Sequence, residues 1–214
     1  TQSRSSAASD VYKRQAWKRE VVLQTLAREG LETEVEATVA TPLASRRRLA
    51  LHARQGADGR VILGFKARKS WRVVELTDCP LSDPHLTAAL PALAKVAAPF
   101  LGHPKSAPTL HVTLTDTGLD VDVTGVEKRS GGLNGDQLAL AIAAAAEADL
   151  ARLSLDGDTL VMARQPRVRF GRASVPLPAG GFLQASPAAE AAMVERAVEA
   201  LSLIHISEPT RPLY

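Results

Sequence analysis

Cys79, in the run Leu76-Thr77-Asp78-Cys79-Pro80, is the only cysteine among 214 residues. A solitary thiol can serve as a nucleophile where a base adjoins it, or as one ligand of a site completed elsewhere. It can equally be a small buried hydrophobe, since free cysteine is among the most buried residue types. The sequence offers it no evident partner. His52, His85, His103 and His111 have no metal-ligand spacing among themselves or with Cys79. Neither a G-x-S-x-G elbow nor a local triad pattern occurs. The glycines of Ser130 to Gly135 (SGGLNG) lack both the G-x-G-x-x-G spacing and a following G-K-[ST], so that stretch reads as a turn rather than a phosphate loop.

A second constellation is cationic. Between Arg46 and Arg72 stand nine Lys/Arg against Asp58 alone, a local charge of +8. Gathering so many like charges is unfavourable unless a polyanion neutralises them, and phosphate contacts do so with release of counterions. A solvated charged face would have the same composition, and charge alone leaves both readings open. Phe65 and Trp71 are the nearby aromatics, and Phe65 is expected to face the core. Glu147 to Asp158 is acidic by contrast, which confines the basic field to one part of the fold.

The elements that position these residues follow from periodicity. RRRLALHARQGADGRVILGFKAR is two alternating runs around Gly56-Ala57-Asp58-Gly59, a hairpin signal. Arg46, Arg48, His52 and Arg54 share one face of the first run, and Leu49, Leu51 and Ala53 the other. In the second run Val61, Leu63 and Phe65 oppose Arg60, Lys66 and Arg68. A third strand, Arg72 to Leu76, leads to the cysteine. Upstream, Trp17 to Arg28 has helical apolar spacing capped by Gly30, and Glu34 to Thr41 alternates as a strand ended by Pro42. Downstream, Pro84 to Leu101 reads as helix with a break at Pro91. Thr109 to Thr115 and Leu119 to Thr124 form a hairpin, and Gln137 to Leu150 an alanine-rich helix. Short strands Leu153 to Leu155, Leu160 to Ala163 and Arg167 to Phe170 follow, then a helix from Pro187 to Ala200. Hairpins outnumber βαβ units, so the class is α+β with an antiparallel sheet and flanking helices.

With 45% hydrophobic and 23% charged residues, the composition is that of a globular protein. The longest apolar run, Leu138 to Ala146, is too short to span a bilayer. One cysteine excludes a disulfide framework, and the start carries no charged n-region followed by an apolar h-region, so a cytoplasmic location is expected. Ser5 to Gln15 and Leu201 to Arg211 resemble in-frame translations of the ends of a sequencing-library adaptor, which implies non-native tails over 1–15 and 201–214. His205 and Tyr214 are therefore given no functional role. Without those tails the net charge falls from +3 to +1.

The run Arg46 to Pro80 also resembles the central domain of the RNA uracil-C5 methyltransferases of TrmA/RlmD type, which use S-adenosylmethionine. In that family an Arg-rich strand leads to a G-F turn, a basic serine-containing segment, a hydrophobic strand and then C-P. Val168 to Gln184 (VRFGRASVPLPAGGFLQ) is similar to the family segment ending in F-x-Q. The resemblance implies that Gln184 contacts the cofactor or target uridine, that Phe182 lines or stacks in that pocket, and that Arg46, Arg47 and Arg48 touch RNA. Arg54, Lys66 and Arg68 extend the RNA-binding set. Cys79 matches the last of four cysteine ligands of a four-iron iron-sulfur cluster, orphaned here because no C-x-G-C-like motif precedes Trp17.

The domains so implied are 16–45, packing on the catalytic domain, 46–183, a central RNA-binding domain, and 184–200, the start of a Rossmann-like methyltransferase domain before which the chain is truncated. The family nucleophile follows the F-x-Q segment, so Cys79 is not it, and the chain by itself is expected to be inactive and to bind neither cofactor fully. The expected partners are rRNA or tRNA, with no membrane, and the expected state is a monomer. The alternatives are a self-sufficient, non-catalytic RNA-binding module and a structural domain with no ligand.

Overall fold

In the computed structural model, residues 4–103, 105–128 and 132–207 are described. Ser130 and Gly131 of the SGGLNG turn, and the end from 208 onward with Tyr214, lie outside the described residues. The chain divides into two units, Pro42–Pro187 and a second made of Thr1–Thr41 with Ala188–Tyr214.

In the larger unit the alternating runs become strands β1 (Arg48–Gln55) and β2 (Val61–Lys66), paired antiparallel with His52 opposite Gly64 and Gln55 opposite Val61. Strand β3 (Val73–Glu75) continues the sheet beyond β2, and β4 (Thr109–Thr115) with β5 (Gly118–Thr124) lies on the other side of β1. Helices α2 (Pro84–Ala88) and α3 (Leu90–Ala97) and a 3₁₀ turn (Ala98–Leu101) join the two halves. The chain breaks at Ala89 and not at Pro91. Pro91 occupies the first turn of α3, where a missing N–H costs nothing.

Strands β6 (Arg152–Leu155) and β7 (Asp158–Met162) complete a seven-stranded sheet in the order β3-β2-β1-β4-β5-β6-β7. Every pairing is antiparallel except β5–β6, which is parallel across helix α4 (Gly135–Glu147). The architecture is thus α+β around a mostly antiparallel sheet. A capping box starts α4: Asn134 accepts from the Gln137 N–H, and the Gln137 side chain accepts from the Asn134 N–H.

Period two sorts the sheet into faces. Leu49, Leu51, Ala53, Leu63, Leu110, Val112, Val121, Val123 and Leu153 meet Leu86, Leu93, Val96, Phe100, Ala141 and Ala145 of the helices in one core. Each fully buried Leu or Phe there contributes about 1.5–3 kcal/mol. Phe65, expected in this core, is 41% exposed and takes no part in it. Gly64 and Phe65 lie within β2 rather than in a turn. Gly64 is required there, since a Cβ would stand 1.8 Å from the Val74 carbonyl oxygen of the neighbouring strand.

A separate ribbon pairs β8 (Arg167–Phe170) with β9 (Ala173–Pro176), a strand absent from the sequence reading. Val168, Leu177 and Leu183 are buried together beneath it.

The smaller unit holds helices α1 (Arg4–Arg28) and α5 (Pro187–Ser207). Gly30 ends α1 at φ +74°, with its N–H bonded to the Ala27 carbonyl. Glu34 to Thr41 forms no strand. The Arg19 Nε donates to the Val35 carbonyl, Thr38 Oγ1 donates to the Gln15 carbonyl, and Glu36 pairs with Arg196 at 3.0 Å. Side chains, not a neighbouring strand, hold this alternating segment, and Val39 is exposed.

Candidate nucleic-acid interface

The face of the sheet opposite the core is polar. On β1 it carries Arg48, His52 and Arg54, on β4 Thr109, His111 and Thr113, and on β5 Asp120, Asp122 and Thr124. Cross-strand bonds knit it together: His52 Nδ1 lies 2.9 Å from Thr109 Oγ1, and His111 Nε2 lies 3.1 Å from Thr124 Oγ1. Asp120 is buried and takes both Nε and Nη2 of Arg152 at 2.8 Å, a bidentate pair across the parallel β5–β6 register. Asp122 accepts from the Gly157 N–H at 2.9 Å.

Three stretches distant in sequence converge where β1 begins. The Cys79–Pro80 turn attaches first, as the Ala44 N–H bonds to the Pro80 carbonyl and the Arg46 N–H to the Leu81 carbonyl. Arg46 and Ser82 form a parallel bridge, closed by the Asp83 N–H on the Arg46 carbonyl. The Phe182–Gln184 segment attaches second. The Arg47 N–H donates to the Ala185 carbonyl at 2.8 Å, Arg47 Nε to the Gln184 carbonyl at 3.0 Å, and Arg48 Nη1 to the Leu183 carbonyl at 2.7 Å. The Arg48 guanidinium also lies 5.7 Å from the centroid of the Phe182 ring.

Burial, and then the adjacent charges of Arg46 and Arg47, lower the pKa of Arg48, with Asp120 opposing. Like charges are held together here by backbone carbonyls.

Arg46, Arg48, His111, Phe182 and Gln184 line one cavity of about 280 Å³. The structure therefore brings the Arg-rich strand and the F-x-Q segment together. Phe182 is 80% exposed, with its ring at the rim, and Gln184 is half-buried. A smaller cavity of about 130 Å³ adjoins, lined by Arg48, His111, Asp120, Asp122 and Gly180. The sequence reading passed over His111, which lines both. Its signal was present in the alternation of Thr109, His111 and Thr113 against Leu110, Val112 and Leu114.

Arg46, Arg54, Lys66 and Arg68 are exposed, whereas Arg47 and Arg48 are half-buried and fasten the 183–185 backbone. Lys66 and Arg54 instead gather near Trp71, away from Phe182. Cys79 is half-buried and lines none of these cavities among the described residues. Burial pushes its thiol up, but the Ser82 hydroxyl and the N–H groups of Leu81 and Ser82 outweigh that, leaving its pKa below the ordinary value. Among the described residues no three His, Cys, Asp or Glu side chains are grouped to hold a metal, so a single thiol does not fit an iron-sulfur cluster. No helix among them is long and apolar enough to cross a membrane.

No family model matches the chain. An uncharacterized RNA methyltransferase of Caulobacter vibrioides is 61% identical over 184 residues, covering 86% of this chain and 44% of that protein. Over most of its length the chain is thus similar to proteins named RNA methyltransferases, in line with the resemblance in its sequence. The 23S rRNA (uracil(1939)-C(5))-methyltransferase RlmD of Halomonas elongata is 40% identical over 75 residues, 34% of this chain and 16% of that relative. The chain also shares its fold with the tRNA (uracil-54, C5)-methyltransferase of Pyrococcus abyssi, solved in complex with S-adenosyl-L-homocysteine. The TM-score is 0.59 at 18% identity, over 88% of this chain and 48% of the archaeal one. The chain spans less than half the length of the Caulobacter protein.

Proposed function

We propose that this chain serves methyl transfer from S-adenosylmethionine to C5 of a uridine in rRNA or tRNA. It would supply the RNA-binding sheet and one edge of the reaction pocket. The observation that carries this reading is the junction at Arg46–Arg48, where the cationic strand is bonded directly to the Leu183–Ala185 backbone. A uridine whose C5 must be reached has to leave its stack, and the enzyme holds it by stacking and by hydrogen bonds to its edge. Phe182 offers an exposed ring for the first and the Gln184 carboxamide a donor and acceptor for the second.

S-adenosylmethionine, when bound, supplies the methyl group. The residues present fit it only in part: Gln184 and Phe182 can line its site, but no described carboxylate lines their cavity to take its ribose hydroxyls. Arg47 and Arg48 act as positioning residues for that edge, while Arg46, Arg54, Lys66 and Arg68 are placed to meet phosphates. Cys79 lies in the turn that anchors Arg46 and takes no chemical role in this reading.

The test is mass spectrometry of 5-methyluridine in rRNA and tRNA from cells with and without the gene. Loss of the methyl group at a particular uridine is expected, restored by the wild-type gene and not by Gln184→Ala. Unchanged 5-methyluridine at every site in the deleted strain would contradict the reading.

A further inference from the structure

A larger cavity, of about 430 Å³, opens between the far end of β1, the end of β2, and Leu101, His103 and residues 105–108. His52, Arg54, Lys66, Trp71, His103 and Lys105 line it, and among the described residues no carboxylate does. Trp71 is 74% exposed, so its indole is open to a ligand. Its backbone carbonyl is held by Arg54 Nη1 at 3.1 Å, and the Lys66 ammonium lies 4.7 Å from its ring centroid. Arg54 and Lys105 are exposed, whereas His52 is half-buried and its pKa is lowered by burial, by Lys66 and by His111. The stable cations are thus the two lysines and the arginine, arranged about an open indole.

A flat aromatic face ringed by cations matches a nucleotide of a single strand. Base–indole stacking supplies sequence-tolerant affinity, and the flanking ammonium and guanidinium groups neutralise phosphate. A protein partner would be expected to bring a carboxylate to such cations, but an acidic side chain leaves the open ring of Trp71 unmatched. The cavity also continues the polar face: His52 lies four residues along β1 from Arg48, ~13 Å at the rise of a strand.

We propose that this cavity takes an unpaired RNA nucleotide outside the target pocket, its base stacked on Trp71 and its phosphate held by Arg54, Lys66 and Lys105. The inference rests on the RNA reading given above. It assigns Trp71 as an anchor for the strand that flanks the methylated uridine, so that RNA is gripped at two points along β1.

The test titrates the 214-residue chain, in a Trp17→Phe background that leaves Trp71 as the reporting indole, with a short oligouridylate at low salt. Saturable quenching of Trp71 fluorescence is expected, with affinity falling about 5- to 150-fold in Trp71→Ala and nearly restored in Trp71→Phe, both measured by anisotropy of labelled RNA. Because Arg54 holds the backbone carbonyl of residue 71, neither substitution removes that bond.

Unchanged affinity in Trp71→Ala, with binding lost in Arg46→Ala, overturns this inference and leaves the function reading standing. Heparin quenching Trp71 as strongly as RNA overturns it as well, since a polyanion without bases would then suffice. Absence of any RNA binding by the wild-type chain at low salt overturns both.

Discussion

At the scale of single residues, the arginines of the RRR run do different work. Arg46 is exposed and its Nε donates to the nearby Arg48 carbonyl at 2.9 Å, while Arg47 and Arg48 reach across to the backbone carbonyls of Gln184 and Leu183. Arg48→Ala therefore removes a charge-assisted hydrogen bond worth about 1.5–3 kcal/mol, and loosens the segment that carries Phe182, which Arg47 alone then holds. Hydrogen exchange should report faster exchange at the Arg47 amide, which donates to the Ala185 carbonyl, in that variant, while the helical core stays protected. Arg48→Lys should not restore protection, because an ammonium lacks the planar fork that meets carbonyl and ring together.

His52 yields a second prediction. Burial first, then Lys66 and His111, hold its folded pKa below the ordinary 6.5, so the unfolded chain takes up the proton more readily. The sign follows: stability is undiminished above pH 6.5 and falls as pH drops through 6.5 toward the folded value. Urea midpoints at pH ~7.5 and ~5.5 should differ, and His52→Gln should shrink the difference. These roles were only half legible in the sequence. Alternation assigns a residue to a face, but whether its charge meets solvent or a distant carbonyl depends on residues 135 and 137 positions away.

At the scale of elements, legibility followed how local the determinant was. The β1–β2 hairpin could be read because its turn residues and its alternation agree, as could the β4–β5 hairpin and the capped helix α4. Glu34 to Thr41 alternates equally well and forms no strand, since alternation states a preference and a ladder requires a partner. Strand β9 went unread because ASVP carries almost no pattern, all four residues being exposed. The parallel β5–β6 pairing was hidden too, although its lock was in plain sight as Asp120 and Arg152.

That bidentate pair is buried at both ends, with side-chain exposures of 7% and 5%. Arg152→Ala leaves the buried Asp120 carboxylate without its partner and should cost about 3–5 kcal/mol, read as a lower urea midpoint. Replacing both partners by apolar residues of similar volume should recover most of that loss, because the stranded charge disappears with its partner.

At the scale of the whole molecule, a net charge of +3 conceals a segment of +8, from which Arg48, Arg54 and Lys66 stand on the sheet face opposite the helices. The helices cover the opposite face, so the cations and the polar strand residues are left together where a polyanion can lie. Similarity to RNA methyltransferases agrees with that division of labour, and in the proposed function the F-x-Q segment fastened to the first strand would put base recognition next to backbone recognition.

The measurement that bears most directly on this account is the salt dependence of RNA binding by the 214-residue chain. If Arg46, Arg54, Lys66 and Arg68 each neutralise a phosphate of a single strand, log K should fall with log salt at a slope of roughly −3. Each substitution to Ala should then flatten that slope by about 0.7, whatever the RNA sequence. A slope near zero, or one left unchanged when all four are replaced, would contradict the claim that this face of the sheet binds RNA.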